Sequence, residues 1–199
     1  MTKIVLLGDS IRMRYQPLVQ KGLAEAVVWG PAQNCETSAK ILAHLDAWVF
    51  VHHPDVVHLN CGLHDLRYNP GAGRRVVSPT AYVQNLKAIM AQLTGRVDGP
   101  IIWATITPVD QGRHQAHKRS RRYESDVRLY NRLALETVSR YGVQVNDLFG
   151  AVVSYGKDRI LDQDGVHFTD EGDALLSRQV IQALRSIIGT AAFHHPCLP

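Results

Sequence analysis

Five short apolar runs, KIVLL, AVVW, VVHLN, IIWAT and VQVN, recur along the 199-residue chain, and the stretches between them are longer and carry their apolar residues at helical spacing. This alternation constrains the fold more than any other feature. Short runs without an internal polar period suit strands buried on both faces, and helical connections of this length join parallel neighbours. The pattern predicts strands at Lys3 to Leu7, Ala26 to Trp29, Val56 to Asn60, Ile101 to Thr105 and Val143 to Asn146. It predicts helices from Ile11 to Leu23, from Ser38 to Val51 behind a Thr37 cap, and after Ser78 with Pro79 in the first turn. Two more are expected from about Tyr123 to Tyr141 and from Thr169 to about Ile188. The sum is a three-layer α/β/α sandwich on a five-stranded parallel sheet, one domain over residues 1–190 with an irregular tail over 191–199.

Composition narrows the class. Hydrophobic residues make up 45% and charged residues 20%, and no window reaches the roughly 18 consecutive apolar residues of a membrane span. The short IVLL run near Met1 has no small-residue cleavage site after it, so a cytoplasmic location is expected. Cys35, Cys61 and Cys197 match neither a zinc spacing nor a disulfide framework and read as reduced thiols. The pairs His52-His53 and His194-His195 lack companion ligands, so no metal and no cofactor is expected. The net charge of +4 is concentrated between Gly112 and Arg128. That stretch reads as a solvated loop and helix start, with a phosphate-contacting patch or a flap beside the substrate as the other readings. Tyr123 is its single aromatic, too few for a platform that stacks bases, and no nucleic-acid partner is expected.

Ligands of open parallel sheets bind beyond the carboxyl ends of the strands, so the loops there carry the chemistry. The first strand runs into Gly8-Asp9-Ser10. A Ser opening a helix sits at the positive end of the dipole, where developing negative charge costs less; it is equally a common helix cap. Near the other end, DQDGVHFTDEG holds Asp164 and His167 three residues apart. In a turn-like loop that spacing lets a carboxylate accept from the imidazole Nδ1–H, leaving Nε2 to take a proton from a hydroxyl. An ordinary solvated loop is the plain alternative. No GxSxG elbow occurs, which removes the main support for an α/β-hydrolase fold.

GDS after the first strand, GLHD after a central strand and DxxH near the C-terminus together resemble the motif blocks of the SGNH hydrolases, the GDSL esterase/lipase superfamily, from Lys3 to about Ile188. The resemblance implies a flavodoxin-like sandwich with Ser10 as nucleophile, His167 as general base and Asp164 as its orienter. It further implies an oxyanion hole formed by the Ser10 N–H, a backbone N–H of the second block and a side chain of the third. Two departures stand out. In WGPAQNCETSAKIL the place of the usual Gly falls on Cys35, with Gly30 as the alternative donor and the thiol itself as a bystander rather than a competing nucleophile. In GLHD, His64 stands where relatives carry Asn; an imidazole N–H can serve the same oxyanion in either charge state. His64 could also be an alternative base beside Asp65, or a structural or substrate-contacting residue, whereas Asp65 is expected to anchor the loop through backbone N–H groups.

Arg12, Asn34, Tyr68, Asn69 and Thr107 lie on loops flanking these blocks and are the candidate substrate contacts. Their polarity, with no apolar stripe among them, favours a short-chain acyl ester of a polar small molecule such as an acetylated sugar. A lysophospholipase or an acyl thioesterase is the enzymatic alternative, and a binding module for acyl or glycan ligands, or one using the basic stretch, the non-enzymatic one. No membrane partner is expected.

Overall fold

The computed structural model describes residues 1–191, with side chains described through Ile188. The rest of the tail, with Cys197 and His194-His195, lies outside the described residues. Five parallel strands form one sheet in the order β2-β1-β3-β4-β5: β1 (Lys3–Leu7), β2 (Val27–Trp29), β3 (Val56–Leu59), β4 (Ile101–Ala104) and β5 (Gln144–Asn146). β3 and β4 are buried along their whole length, and β1 from Ile4 onward, which is why these runs show no polar alternation. The edge strands are shorter and partly exposed.

Nine helices are described: α1 (Ser10–Gly22), α2 (Ser38–Ala43), α3 (Leu45–Trp48), α4 (Pro79–Arg96), α5 (Gln111–His117), α6 (Glu124–Val138), α7 (Leu148–Tyr155), α8 (Lys157–Ile160) and α9 (Asp170–Ala191). α9 packs on α1 and α7, while α4 packs on α2 and α6, so the sheet is covered on both faces. The fold is thus the expected α/β sandwich. Among the described residues no helix is long and apolar enough to cross a membrane.

The caps expected from sequence form as hydrogen bonds: Lys40 N–H donates to Thr37 Oγ1 at 3.2 Å and Ala81 N–H to Ser78 Oγ at 3.2 Å. The helix expected from Ser38 to Val51 is broken. The His44 Nδ1–H donates to the Lys40 carbonyl at 2.8 Å, and the His44 backbone N–H turns to Ile41 O at 3.0 Å, so the side chain displaces the regular i to i−4 bond. The ring then stacks on Trp48 at 4.4 Å. The basic stretch from Gly112, expected to begin as a solvated loop, instead begins within α5, which is capped by Asp110, whose Oδ1 accepts from Arg113 N–H at 2.9 Å.

β1 has β2 on one side and β3 on the other. Chain direction across the sheet therefore reverses between β1 and β3. The connections leaving these strands diverge there and open a crevice, into which both GDS and GLHD emerge.

Candidate active site

α1 begins directly at the end of β1. Asp9 is its cap: the buried Asp9 carboxylate accepts from Ile11 N–H at 2.9 Å. Ser10, freed of capping, is the first helical residue, and its Oγ lies 2.7 Å from His167 Nε2. His167 Nδ1 lies 2.7 Å from Asp164 Oδ2, while Asp164 Oδ1 accepts from the N–H groups of Val166 and His167 at 3.0 and 2.9 Å. Burial works to raise the Asp164 pKa, but the hydrogen bonds from the His167 backbone and ring and from Val166 N–H outweigh it and hold the carboxyl at about 2. An ionised carboxylate fixes the proton on Nδ1, leaving the Nε2 lone pair for the serine hydroxyl. A hydroxyl, an imidazole and a carboxylate joined in this order can generate a nucleophile at neutral pH.

The Asp164 turn is held from outside. Gly165 has φ +68°, and an added Cβ would come within 2.4 Å of the Asp110 carbonyl, so only glycine fits. Asp110 N–H donates to Gly165 O at 2.8 Å, and the buried His114 donates from Nδ1 to Asp164 O at 3.2 Å. Its Nε2 accepts from Arg122 Nη1 at 3.1 Å, and Arg122 Nε donates to Leu63 O at 2.9 Å. Burial, reinforced by the Arg122 charge, pushes His114 below the usual imidazole range, so the ring is neutral and can keep Nε2 as an acceptor. Arg14 completes the frame from α1, donating to Asp173 at 2.8 Å and to Phe168 O at 2.8 Å. His114 and Arg122 thus join the loop bearing Asp164 to the loop bearing His64. Sequence reasoning missed both because they sit within the basic run; the Asp110 cap was the one legible sign that this run folds.

In GLHD, Gly62 has φ +135° and an added Cβ would meet Ile106 Cδ1 at 2.3 Å, which explains the glycine. His64 is half-buried, and its ring makes no hydrogen bond to any described residue. Burial pushes its pKa below the usual range; Asp9 opposes this and the Arg122 and Arg67 charges add to it. The imidazole is neutral at pH 7 and retains one N–H. Asp65 points away from the crevice: buried, it accepts from Ser38 N–H at 3.0 and 3.1 Å and from the Ser38 hydroxyl, tying this loop to the start of α2. Burial lifts its pKa to about 6 against those hydrogen bonds.

Several expected contacts lie elsewhere. The Cys35 N–H donates to Gly8 O at 3.2 Å and its side chain is fully buried, so this group is engaged within the core and not presented to the crevice. Burial raises the thiol pKa, which leaves it protonated and inert. Gly30 abuts Gln16, Arg12 and the Leu6 carbonyl behind β1. Arg12 is 2% exposed, with donors directed at Gln16 Oε1 (2.7 Å), Pro31 O (2.9 Å) and Gln33 O (3.0 Å). It clamps the loop after β2 to α1 and is closed to substrate. Thr107 is buried, its hydroxyl without a partner among the described residues, on a void of about 10 Å³ that Asp9 and Asn60 also line. Substrate does not reach it. Asn34 Oδ1 accepts from Glu36 N–H at 2.8 Å and holds Glu36 at φ +52°. Tyr68 and Asn69 line an open depression beside the GLHD loop.

The sheet order and its crevice define a flavodoxin-like α/β sandwich, and likeness to known proteins narrows that class. The sequence profile of the GDSL-like lipase/acylhydrolase family matches residues 6–175. The chain belongs to this family, and is thereby an SGNH-type esterase. No curated protein sequence matches it. Among solved structures, a lipase/acylhydrolase from Enterococcus faecalis superposes with a TM-score of 0.79 at 24% identity, over 94% of this chain and 96% of that one. An acetyl xylan esterase superposes with a TM-score of 0.72 at 18% identity, covering 92% and 99%. An acetylxylan esterase from Geobacillus stearothermophilus reaches 0.69 at 16%, covering 91% and 93%. At these identities the superpositions establish the shared fold.

Proposed function

We propose that the protein hydrolyses short acyl esters, acetyl above all, of a polar small molecule such as a sugar, through an acyl-enzyme on Ser10. The observation that carries this reading is the continuous chain from Ser10 Oγ through His167 to Asp164, with two contacts of 2.7 Å. Ser10 Oγ attacks the acyl carbonyl while His167 Nε2 takes its proton, and Asp164 stabilises the imidazolium that forms. The tetrahedral oxyanion is held by the Ser10 N–H, which has no partner within the helix, and by the ring N–H of His64. His167 then protonates the leaving alcohol. Water, activated by the same nitrogen, attacks the acyl-enzyme and releases the acid, and Ser10 regains its proton.

The preference for a polar substrate rests on the surroundings. The depression next to the GLHD loop is lined by Tyr68, Asn69 and basic side chains rather than an apolar groove suited to a long acyl chain. Two of the structural neighbours are described as acetyl xylan esterases, which agrees with a short acyl group on a carbohydrate. The test is turnover of p-nitrophenyl esters of increasing chain length, with fluorophosphonate labelling. Wild-type protein should label and prefer acetate, and Ser10→Ala should lose both label and turnover while keeping its circular dichroism spectrum. Turnover retained in Ser10→Ala would remove the assignment, and a preference for long chains or thioesters would replace the substrate class.

A further inference from the structure

The basic run contributes more than the frame behind the catalytic loops. Tyr68 N–H and O exchange hydrogen bonds with Arg121 O and N–H, both at 2.9 Å, so the chain leaving His64 and the chain after α5 lie side by side. Between them opens a depression of about 880 Å³, whose walls carry Lys118, Arg119 and Arg121 and no carboxylate. A second hollow, sharing Tyr68 and Asn69, continues it to Arg74. None of these four cations makes an ion pair or side-chain hydrogen bond with a described residue, and all four are exposed. The acidic group closest in effect, Asp126, is buried and bound to Arg75 at 2.6 Å, so it does not cancel them.

Arg67 gives an independent sign of the same charge imbalance. Its guanidinium makes no hydrogen bond to any described residue and its Nε is buried, an arrangement native proteins rarely keep without a use. Its charge acts on both His64 and Arg122, so the positive field extends to the His64 loop itself. Tyr68 follows His64 by four residues, which places the mouth of the depression within about 14 Å of the His64 backbone. A concave, aromatic-flanked surface with several uncompensated cations, within reach of the His64 loop, suits a negatively charged part of an extended substrate.

We propose that this depression is a subsite for an anionic group, a carboxylate or a phosphate, carried on the alcohol portion of the ester. The inference rests on the esterase reading above and narrows its substrate to acidic carbohydrates. No new bond is made in the subsite; it lowers KM by attracting and orienting the charged end of the molecule.

The experiment compares three substrates by acetate release: acetylated digalacturonate, an acetylated hexose 6-phosphate and neutral acetylated xylobiose. At low salt, kcat/KM for at least one anionic ester should exceed that of the neutral one by roughly tenfold or more, chiefly through KM. The better anion identifies the source of the charge. The advantage should shrink in about 0.5 M NaCl, where the screening length is only a few ångström. It should collapse in a triple variant with Lys118→Ala, Arg119→Ala and Arg121→Ala. A ratio within about twofold of unity in the wild type, or one that survives removal of the three charges, would overturn the subsite. Titrating unacetylated digalacturonate and inorganic phosphate into Ser10→Ala separates this failure from failure of the esterase reading. Salt-sensitive binding that the triple variant loses supports the subsite even if no ester is cleaved, and no binding of either up to about 10 mM refutes it.

Discussion

Asp164 offers the strongest test of the proton path, because one substitution affects activity and stability by amounts that can be worked out separately. Its carboxylate accepts three hydrogen bonds, two from backbone N–H groups and one from His167 Nδ1, and is held at about 2. Relative to an ordinary aspartate the shift is about two units, or at most roughly 2 to 3 kcal/mol favouring the folded, ionised form. The side chain is 20% exposed, so screening reduces this figure only in part. The folded pKa lies below the unfolded one, so the stabilisation is complete above pH about 4 and disappears as pH falls through about 2. In Asp164→Asn the amide keeps the shape and its oxygen can still accept from the two backbone groups. Its NH₂, however, faces Nδ1 and moves the imidazole proton to Nε2, the atom 2.7 Å from Ser10 Oγ. That nitrogen can then no longer accept the serine proton, and kcat should fall by about 10⁴. The assays are kcat on p-nitrophenyl acetate at pH 7 and urea unfolding of both proteins at pH 7 and 3. Wild type should be more stable at pH 7, by a margin that narrows at pH 3. If the variant keeps more than about a tenth of wild-type kcat, the argument that Asp164 sets the tautomer of His167 is wrong.

The remaining predictions concern the surrounding frame. His64→Ala should lower kcat by roughly 10² to 10³ with little change in KM; because the buried ring is neutral and keeps its N–H, the ratio to wild type should stay flat from pH 7 to pH 9, and a loss equal to that of His167→Ala would mean His64 is a base. Arg122→Met removes the donors to Leu63 O and His114 Nε2; we expect a stability loss of about 2 to 4 kcal/mol by urea titration and a fall of roughly 10- to 100-fold in kcat, and wild-type kinetics would show that the link between the two loops does not position them. Gly165→Ala places a methyl against the Asp110 carbonyl at φ +68°; thermal melting should report a loss of about 2 kcal/mol or more, and an unshifted melt would contradict the close approach of α5 to the loop bearing Asp164.

Much of this was legible in the linear chain because it depends on local chemistry. The unbroken apolar runs marked strands buried on both faces, the Thr37 and Ser78 caps marked helix starts, and the three-residue spacing of Asp164 and His167 fits one turn stabilised by its own backbone. Other features were not legible. α3 was lost in a longer expected helix because the His44 ring takes a carbonyl that helical spacing assigns to the backbone. Arg12 beside the GDS block looked like a substrate contact, but the packing of α1 on the loop after β2 buries it against three backbone carbonyls. Cys35 aligned with a donor position, yet its N–H is drawn to Gly8 O.

The sequence by itself determined the order of elements and the chemistry available at the end of each strand: a serine, a carboxylate with its imidazole, and a second imidazole. Only the tertiary structure decided which of those groups meet and which are closed off. A charged run reads the same along the chain whether it is solvated or folded, and the difference comes from partners distant in sequence. Here His114 and Arg122 are drawn inside by the carbonyls of Asp164 and Leu63, 50 and 59 residues away, while Lys118, Arg119 and Arg121 find no such partner and remain on the surface.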